Sequence, residues 1–255
     1  LENSNLYGIE LDSISGRIAK QLYQKADIRV EGYEKADLPD SFFDVAIGNV
    51  PFGDFKVNDS RYDKNNFLIH DYFFAKTLDK VRPGGVVAFI TSKGTMDKAN
   101  PEVRKYIAQR ADLLGAIRLP DNTFTKNAGT KVTSDIIFLQ KRESLTDIIP
   151  DWVYLDRDDN NIAMNNYFID NPEMILGNME MVSTAYGYDS TCKADESTSL
   201  EEQLSYAITN IHGELQEYIA ENEIEQEDTS IPARPNVKNF SYTVVDDKIY
   251  FRENS

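Results

Sequence analysis

The chain has 255 residues, 41% of them hydrophobic, and a formal net charge of −16, enough apolar material for one α/β domain of about 150 residues and something smaller. Apolar runs stay far short of the roughly 20 residues that span a bilayer, and no export signal opens the chain; one cysteine, Cys192, beside only His70 and His212, allows no internal disulfide, argues against a metal site and fits a reducing, cytoplasmic setting. The acidity argues against a polyanion partner only until it is mapped: residues 1–142 hold 21 Lys and Arg against 19 Asp and Glu, whereas 143–230 hold 2 against 21, so the first part has charge enough for a basic face.

Short apolar runs alternate with amphipathic stretches through residue 142, the pattern of a parallel α/β sheet. "NLYGIEL" (5–11) reads as a strand, followed by a helix capped by Asp12 or Ser13 in which Ile14, Ile18 and Leu22 repeat every fourth residue. "DIRVE" (27–31) and "FFDVAIGN" (42–49) are the next strands, and "FLIHDYFFAKTLDKV" (67–81) is helical. "RPGG" (82–85) turns into the strand "VVAFIT" (86–91), and "NPEVRKYIAQ" (100–109) is a helix with Pro101 in its first turn, where a missing N–H costs nothing. "LLGAIRL" (113–119) and "SDIIFLQK" (134–141) are the last strands of this part, joined by a loop carrying Asn122, Thr123, Asn127, Gly129 and Thr130.

Beyond it, 145–195 reads as irregular. Leu200, Leu204, Ile208, Ile211, Leu215 and Ile219 mark a helix over about 198–221, residues 221–235 read as a solvated linker, and "SYTVVDDKIYF" (241–251) as a hairpin turning at Asp246-Asp247. Three regions are therefore expected: an α/β domain over 1–142, an acidic irregular and helical extension over 143–230, and a linker with a hairpin over 231–255 that begins something further.

Open α/β sheets bind ligands at the carboxyl ends of their strands, and two features fall there. Glu10, just after Gly8 and before Asp12, could accept both ribose hydroxyls of a nucleoside cofactor; capping of the next helix is the plainer reading. Asn49-Val50-Pro51-Phe52 ends another strand. An amino group on an aromatic base is a poor nucleophile because its lone pair is delocalised into the ring. Two acceptors on its hydrogens, the Asn49 amide oxygen and the Val50 carbonyl, would favour a tetrahedral nitrogen. Pro51 would fix the backbone, and Phe52 would stack on the base. A turn built from Asn and Pro is the competing reading. Loop 53–66 adds Lys56, Arg61 and Lys64, placed either to meet a nucleic-acid strand or simply to be solvated; Lys93 and Arg118 follow strands on the same edge and are weaker phosphate candidates. His70 reads as a packing or capping residue, and Trp152, Tyr167 and Phe168 as core of the second segment.

"YGIELD", "FFDVAIGNVPFG", "RPGGVVAFITSKG" and "IRLPDNTF", in that order and spacing, resemble the amino-group methyltransferases that use S-adenosylmethionine, in particular the N6-adenine DNA methylases with their Asn-Pro-Pro-Phe/Tyr signature. The resemblance implies a seven-stranded Rossmann-like sheet whose last strand, 134–141, runs antiparallel. Glu10 would hold the cofactor ribose, and Asn49, Val50 and Phe52 the adenine. The family's first strand and glycine-rich cofactor loop belong before "GIELD", so the S-adenosylmethionine site is expected to be incomplete within this chain; Val50 stands where the signature has its first proline; and no acid for the cofactor adenine stands out around Gly32, between Glu31 and Glu34. "NNYFIDNPEMILG" and the "SYTVVDDKIYFRENS" ending resemble the very large methylase–helicase proteins of phages, plasmids and conjugative elements. That implies DNA as partner, a helicase region of the same polypeptide as another, and no membrane. A glutamine-amide methyltransferase and a non-catalytic docking module of a DNA-processing protein are the alternatives.

Overall fold

The computed structural model describes residues 4–184, 187–213, 238, 241–245 and 248–251. The chain begins with a β-α-β unit. Strands β1 (Tyr7–Glu10) and β2 (Asp27–Val30) pair in parallel around helix α1 (Ser13–Leu22). Asp12 caps α1, its side chain accepting from the Ser15 N–H at 2.7 Å. Gly16 lets the helix approach β2, since a Cβ there would sit 2.7 Å from a Val30 methyl carbon.

A four-stranded sheet follows, in the order β3 (Phe43–Asn49), β4 (Val81–Ser92), β6 (Ser134–Lys141), β5 (Ala111–Leu119). β3 and β4 are parallel, and β6 is antiparallel to both β4 and β5. This is a Rossmann-like mixed α/β sheet with its late strand reversed. The Arg82-Pro83-Gly84-Gly85 stretch, expected to be a turn before the strand, lies inside β4. Extended pairing starts at Phe43↔Val81 and shifts register across it, and Gly85 approaches so closely that a Cβ would meet the Asp44 carbonyl oxygen at 2.8 Å.

Helix α2 (Ile69–Lys80) is buried nearly all round, the burial of a helix with no solvent face. Phe74 and Leu78 share the main core with Val87, Phe89, Ile117, Ile137 and Leu139. Opposite them Tyr72 and Ala75 pack with Tyr62 and Ile69 in a smaller cluster. Short helices α3 (Gly94–Asp97), α4 (Glu102–Ala108) and α5 (Thr125–Ala128) connect the later strands, with Pro101 as the N-cap of α4 rather than inside it.

The stretch 145–195, expected to be irregular, is ordered in short pieces: the pair β7 (Leu155–Arg157) and β8 (Ala163–Asn165), helix α6 (Asn166–Asp170), and a ribbon of β9 (Asn178–Thr184) and β10 (Gly187–Lys193). Elements of three to five residues are too short to show a period. Apolar residues in and between them, Ile162, Met164, Phe168, Met174 and Leu176, join the core of the four-stranded sheet. Helix α7 (Leu200–Ile208) starts at a capping box of Ser199 and Glu202 and ends well before the expected limit of about 221. Ile211 lies beyond its end and packs at Gly115; Leu215 and Ile219 lie outside the described residues, as does the expected linker.

Residues 217–255 form a second unit. Its described part is the antiparallel pair β11 (Tyr242–Val245) and β12 (Lys248–Phe251), in the register Val245↔Lys248 of the expected hairpin; Asp246-Asp247 lie outside the described residues.

The sheet does not run continuously from β1 to β3. Among the described residues β2–β1 and β3–β4–β6–β5 are separate sheets, touching through Tyr7, whose ring centroid lies 5.2 Å from that of Phe43 and 5.8 Å from that of Phe42. Large apolar side chains stand exposed in this region. On β3 they are Val45 and Ile47, the latter 78% exposed; on α1 they are the Ile14, Ile18 and Leu22 stripe with Leu11 beside it. The fourth-residue repeat did forecast a helix, but its apolar stripe is bare instead of buried.

Candidate functional site

The parallel strands β3, β4 and β5 end on one edge of the sheet, at Asn49, Ser92 and Leu119. Asn49 pairs with Ile90, and the next residue continues the ladder by one bond, Val50 N–H to the Ile90 carbonyl at 3.0 Å. The Val50 side chain then enters the core, 3% exposed, and anchors the turn, while Asn49, Pro51 and Phe52 remain exposed. The position where the family signature has a proline is thus held by burial in place of ring rigidity. Gly53 gives Phe55 room, since a Cβ would lie 2.7 Å from the Phe55 ring, and the Ile69 N–H donates to the Phe55 carbonyl at 2.9 Å. The turn after Asn49 is thereby tied to the start of α2.

Loop 53–66 is fastened through its side chains. Tyr62 is buried and donates to Asp79 at 2.6 Å; Asp59 accepts from Tyr72 at 2.8 Å and pairs with Lys76 at 3.3 Å. Burial is the largest influence on the Lys76 ammonium and lowers its pKa, against the pull of Asp59, and it raises both tyrosines. Buried phenols need acceptors, and two aspartates meet that need. Of the three cations proposed for nucleic acid, Arg61 pairs with Asp40 at 2.7 Å and Asp79 at 2.9 Å, and Lys56 donates to Asn66; Lys64 is exposed. The loop also encloses a cleft of about 180 Å³ lined by Lys56, Tyr62, Asn66, Phe67 and Tyr72 among others, which none of Glu10, Asn49 or Phe52 lines.

At the end of β1, Glu10 accepts the Asp12 N–H on Oε1 at 2.8 Å. Asp12 is occupied in capping α1, and the Ser15 N–H lowers its carboxyl pKa. Gly8 faces β2, where a Cβ would collide with Ile28 at 2.7 Å. Glu10 fits a ribose-binding acid in type and place. The opposite wall of such a site would stand between β1 and β3, where the two sheets separate.

Other residues fall where their sequence gives no hint. Arg118, a phosphate candidate by position, is fully buried: it makes a bidentate contact with Asp135 at 2.9 and 3.0 Å, pairs with Asp97 at 2.9 Å and stacks 4.2 Å from the centre of the Phe168 ring. Burial opposes its charge, yet Asp135 and Asp97 hold its pKa above that of a free arginine. Asn165 clamps the same place, its side chain donating to the Met96 and Trp152 carbonyls. His70 and Asp71 are both buried, Asp71 paired with Lys98 at 2.9 Å, and burial pushes the His70 pKa down. Lys93 is bound to Asp189 at 2.7 Å.

Residues 2–164 match the family model of the N-6 DNA methylases. The chain belongs to that family. N-6 DNA methylases take their methyl group from S-adenosylmethionine, the cofactor of this fold. Among individual proteins, the chain is 33% identical over 138 residues to "defense against restriction protein B" of Escherichia phage P1, covering 52% of this chain and 6% of that protein. It is 28% identical over 154 residues to "rRNA N(6)-adenosine-methyltransferase metl-5" of Caenorhabditis elegans, covering 56% of this chain and 68% of that one. The type I restriction enzyme EcoKI M protein superposes with a TM-score of 0.44 at 20% identity, over 53% of this chain and 31% of its own. The chain therefore spans a small part of the phage relative. No helix among the described residues is long and apolar enough to cross a membrane.

Proposed function

We propose that this methylase chain carries the base-holding part of an N6-adenine DNA methyltransferase, with DNA as its substrate. The observation that carries the reading is the Asn49–Phe52 turn: an exposed amide and an exposed ring set on the carboxyl edge of the sheet by a buried valine. Bound S-adenosylmethionine supplies a methyl group on a sulfonium. The Asn49 amide oxygen and the Val50 carbonyl accept the two hydrogens of the adenine amino group, which localises the nitrogen lone pair for attack. Phe52 stacks on the base, flipped from its helix. The surplus proton leaves the nitrogen afterwards, so no side chain is needed as a strong base, and buried His70 is not one. Glu10 holds the ribose hydroxyls.

The cofactor half is completed by a strand, a glycine-rich turn and a helix that lie outside this chain. The strand runs between β1 and β3, and the helix covers Val45, Ile47 and the stripe on α1. The support for this is that β1 and β3 belong to separate sheets and that large apolar side chains on β3 and α1 are exposed. Alone, the chain then binds S-adenosylmethionine poorly, and micromolar binding by calorimetry would refute that part. Lys56 and Lys64 approach the DNA backbone, with a helicase region of the same long polypeptide as a further partner.

The test is Asn49→Ala in the full-length polypeptide, followed by transfer of labelled methyl groups to DNA. Loss of N6-methyladenine with DNA binding retained supports the reading. Unchanged methylation refutes it, and unchanged biological activity of the variant supports the docking module. Because a relative is an rRNA adenosine methyltransferase, RNA is assayed beside DNA, and transfer to RNA alone would move the substrate class.

A further inference from the structure

The β9–β10 ribbon is rooted on the same edge of the sheet as Asn49. Its inner end is fixed at three places. The Asp121 N–H donates to the Cys192 carbonyl at 2.8 Å, the Cys192 N–H donates to Thr133 Oγ1 at 2.9 Å, and Lys193 pairs with Asp121 at 2.6 Å. Further out, Lys93 reaches Asp189 at 2.7 Å and Ser190 Oγ at 3.1 Å. Lys93 lies three residues beyond Ile90, the partner of Asn49 on the neighbouring strand, which places the two on the order of 10 Å apart. Beyond Ser190, Ser183 and Tyr188 are exposed.

Its register puts Tyr188 opposite Ser183 and Ser190 opposite Met181, so these four share a face. Tyr188 is 80% and Met181 51% exposed on that face, and Ser190 on it meets Lys93. The charge pattern changes at the same point. Residues 143–230 carry 21 carboxylates, yet 181–188 carry none, and Asp189 is neutralised by Lys93. The outer ribbon is thus an uncharged patch of aromatic, thioether and hydroxyl groups in the segment whose acids would otherwise repel a polyanion.

We propose that this ribbon is a DNA-contacting arm: Tyr188 and Met181 pack against bases flanking the adenine held at Asn49, and the exposed Ser183 hydroxyl meets the sugar-phosphate backbone. Two-stranded ribbons fit the major groove, and stacking on an aromatic ring tolerates any base. The inference rests on the reading of Asn49 above.

The test uses the full-length polypeptide and an adenine-containing DNA duplex substituted with iodouracil. Photocrosslinking should place DNA on the peptide containing Met181 and Tyr188, and Tyr188→Ala should weaken binding at least about fivefold, the low end of one base–aromatic stack. Tyr188 is exposed enough that its removal leaves folding intact. Crosslinks only elsewhere, with Tyr188→Ala and Met181→Ala binding as wild type does, overturn the arm; if Asn49→Ala is inactive in the same preparations, the site reading survives. Active Asn49→Ala enzyme fails the site reading, while crosslinks still decide the arm. Crosslinking of an RNA oligonucleotide but not of DNA overturns the assignment to DNA.

Discussion

Replacing Arg118 with methionine removes a fully buried cation and keeps most of its volume. The side chain holds two carboxylates, Asp135 in a bidentate contact and Asp97 at 2.9 Å, and covers the Phe168 ring at 4.2 Å. Breaking a buried ion pair from one side costs about 3–5 kcal/mol because the partner charge is left unpaired. Arg118→Met, which leaves two partners, should cost about 4 kcal/mol. With a urea slope of about 2–3 kcal/mol/M for a unit of this size, the midpoint should fall by about 1.3–2 M. Trp152 is the single tryptophan and packs against the same core, so its fluorescence follows the transition. Burial already raises the Asp135 carboxyl pKa against the pull of Arg118. In the variant that pKa rises further above its unfolded value, the native state then binds more protons than the unfolded state, and the deficit should narrow as pH falls toward about 5. Arg118→Met/Asp135→Asn/Asp97→Asn should regain most of the loss. A single-variant cost below about 1 kcal/mol, or a deficit that widens on acidification, would refute the account of the cluster.

Glu10→Ala in the full-length polypeptide should weaken S-adenosylmethionine binding by about 10- to 100-fold, the value of hydrogen bonds to a charged group, with DNA affinity unchanged; calorimetry with the cofactor checks it. Ile47→Ser should change the stability of the 255-residue chain by less than about 0.5 kcal/mol, because the side chain is 78% exposed. In a longer polypeptide that covers β3 it should cost about 1–2 kcal/mol, three-quarters of a full isoleucine transfer, and equal effects in both contexts would exclude a covering element. Cys192 is fully buried and its thiol is pushed up to about 12 by burial, so a disulfide reagent at neutral pH should modify it only as the chain unfolds. Ser199→Ala removes one half of the α7 capping box and should lower stability by about 1 kcal/mol, read as a shift in melting temperature.

Local signals were strong where they depended only on neighbours in the chain. Six strands, α1, α2 and the cap at Asp12 follow from apolar period and capping chemistry, and the Asn49–Phe52 turn, which by itself reads equally as a plain Asn-Pro turn, stands out through its order and spacing with "YGIELD", "RPGGVVAFITSKG" and "IRLPDNTF". What the strands do to one another was beyond that reading. Arg118 looks like a surface cation in "AIRLP", and only the return of β6 beside β5 puts Asp135 against it and makes it the centre of a buried cluster. Arg61 and Lys56 looked free in a polar loop, and Asp40, Asp79 and Asn66, brought in by the fold, take up their charge and hydrogen bonds. The ribbon has no signal in the sequence because its strands pair with each other and are anchored by Thr133 and Asp121, far away in the chain. The sequence by itself determined which residues are proposed to meet a base, since that chemistry resides in a few adjacent side chains. Tertiary structure alone decided which charges are spent inside the molecule, which apolar faces are left bare beside β3, and which segment stands next to Asn49, because burial and charge pairing depend on contacts between residues distant in the chain.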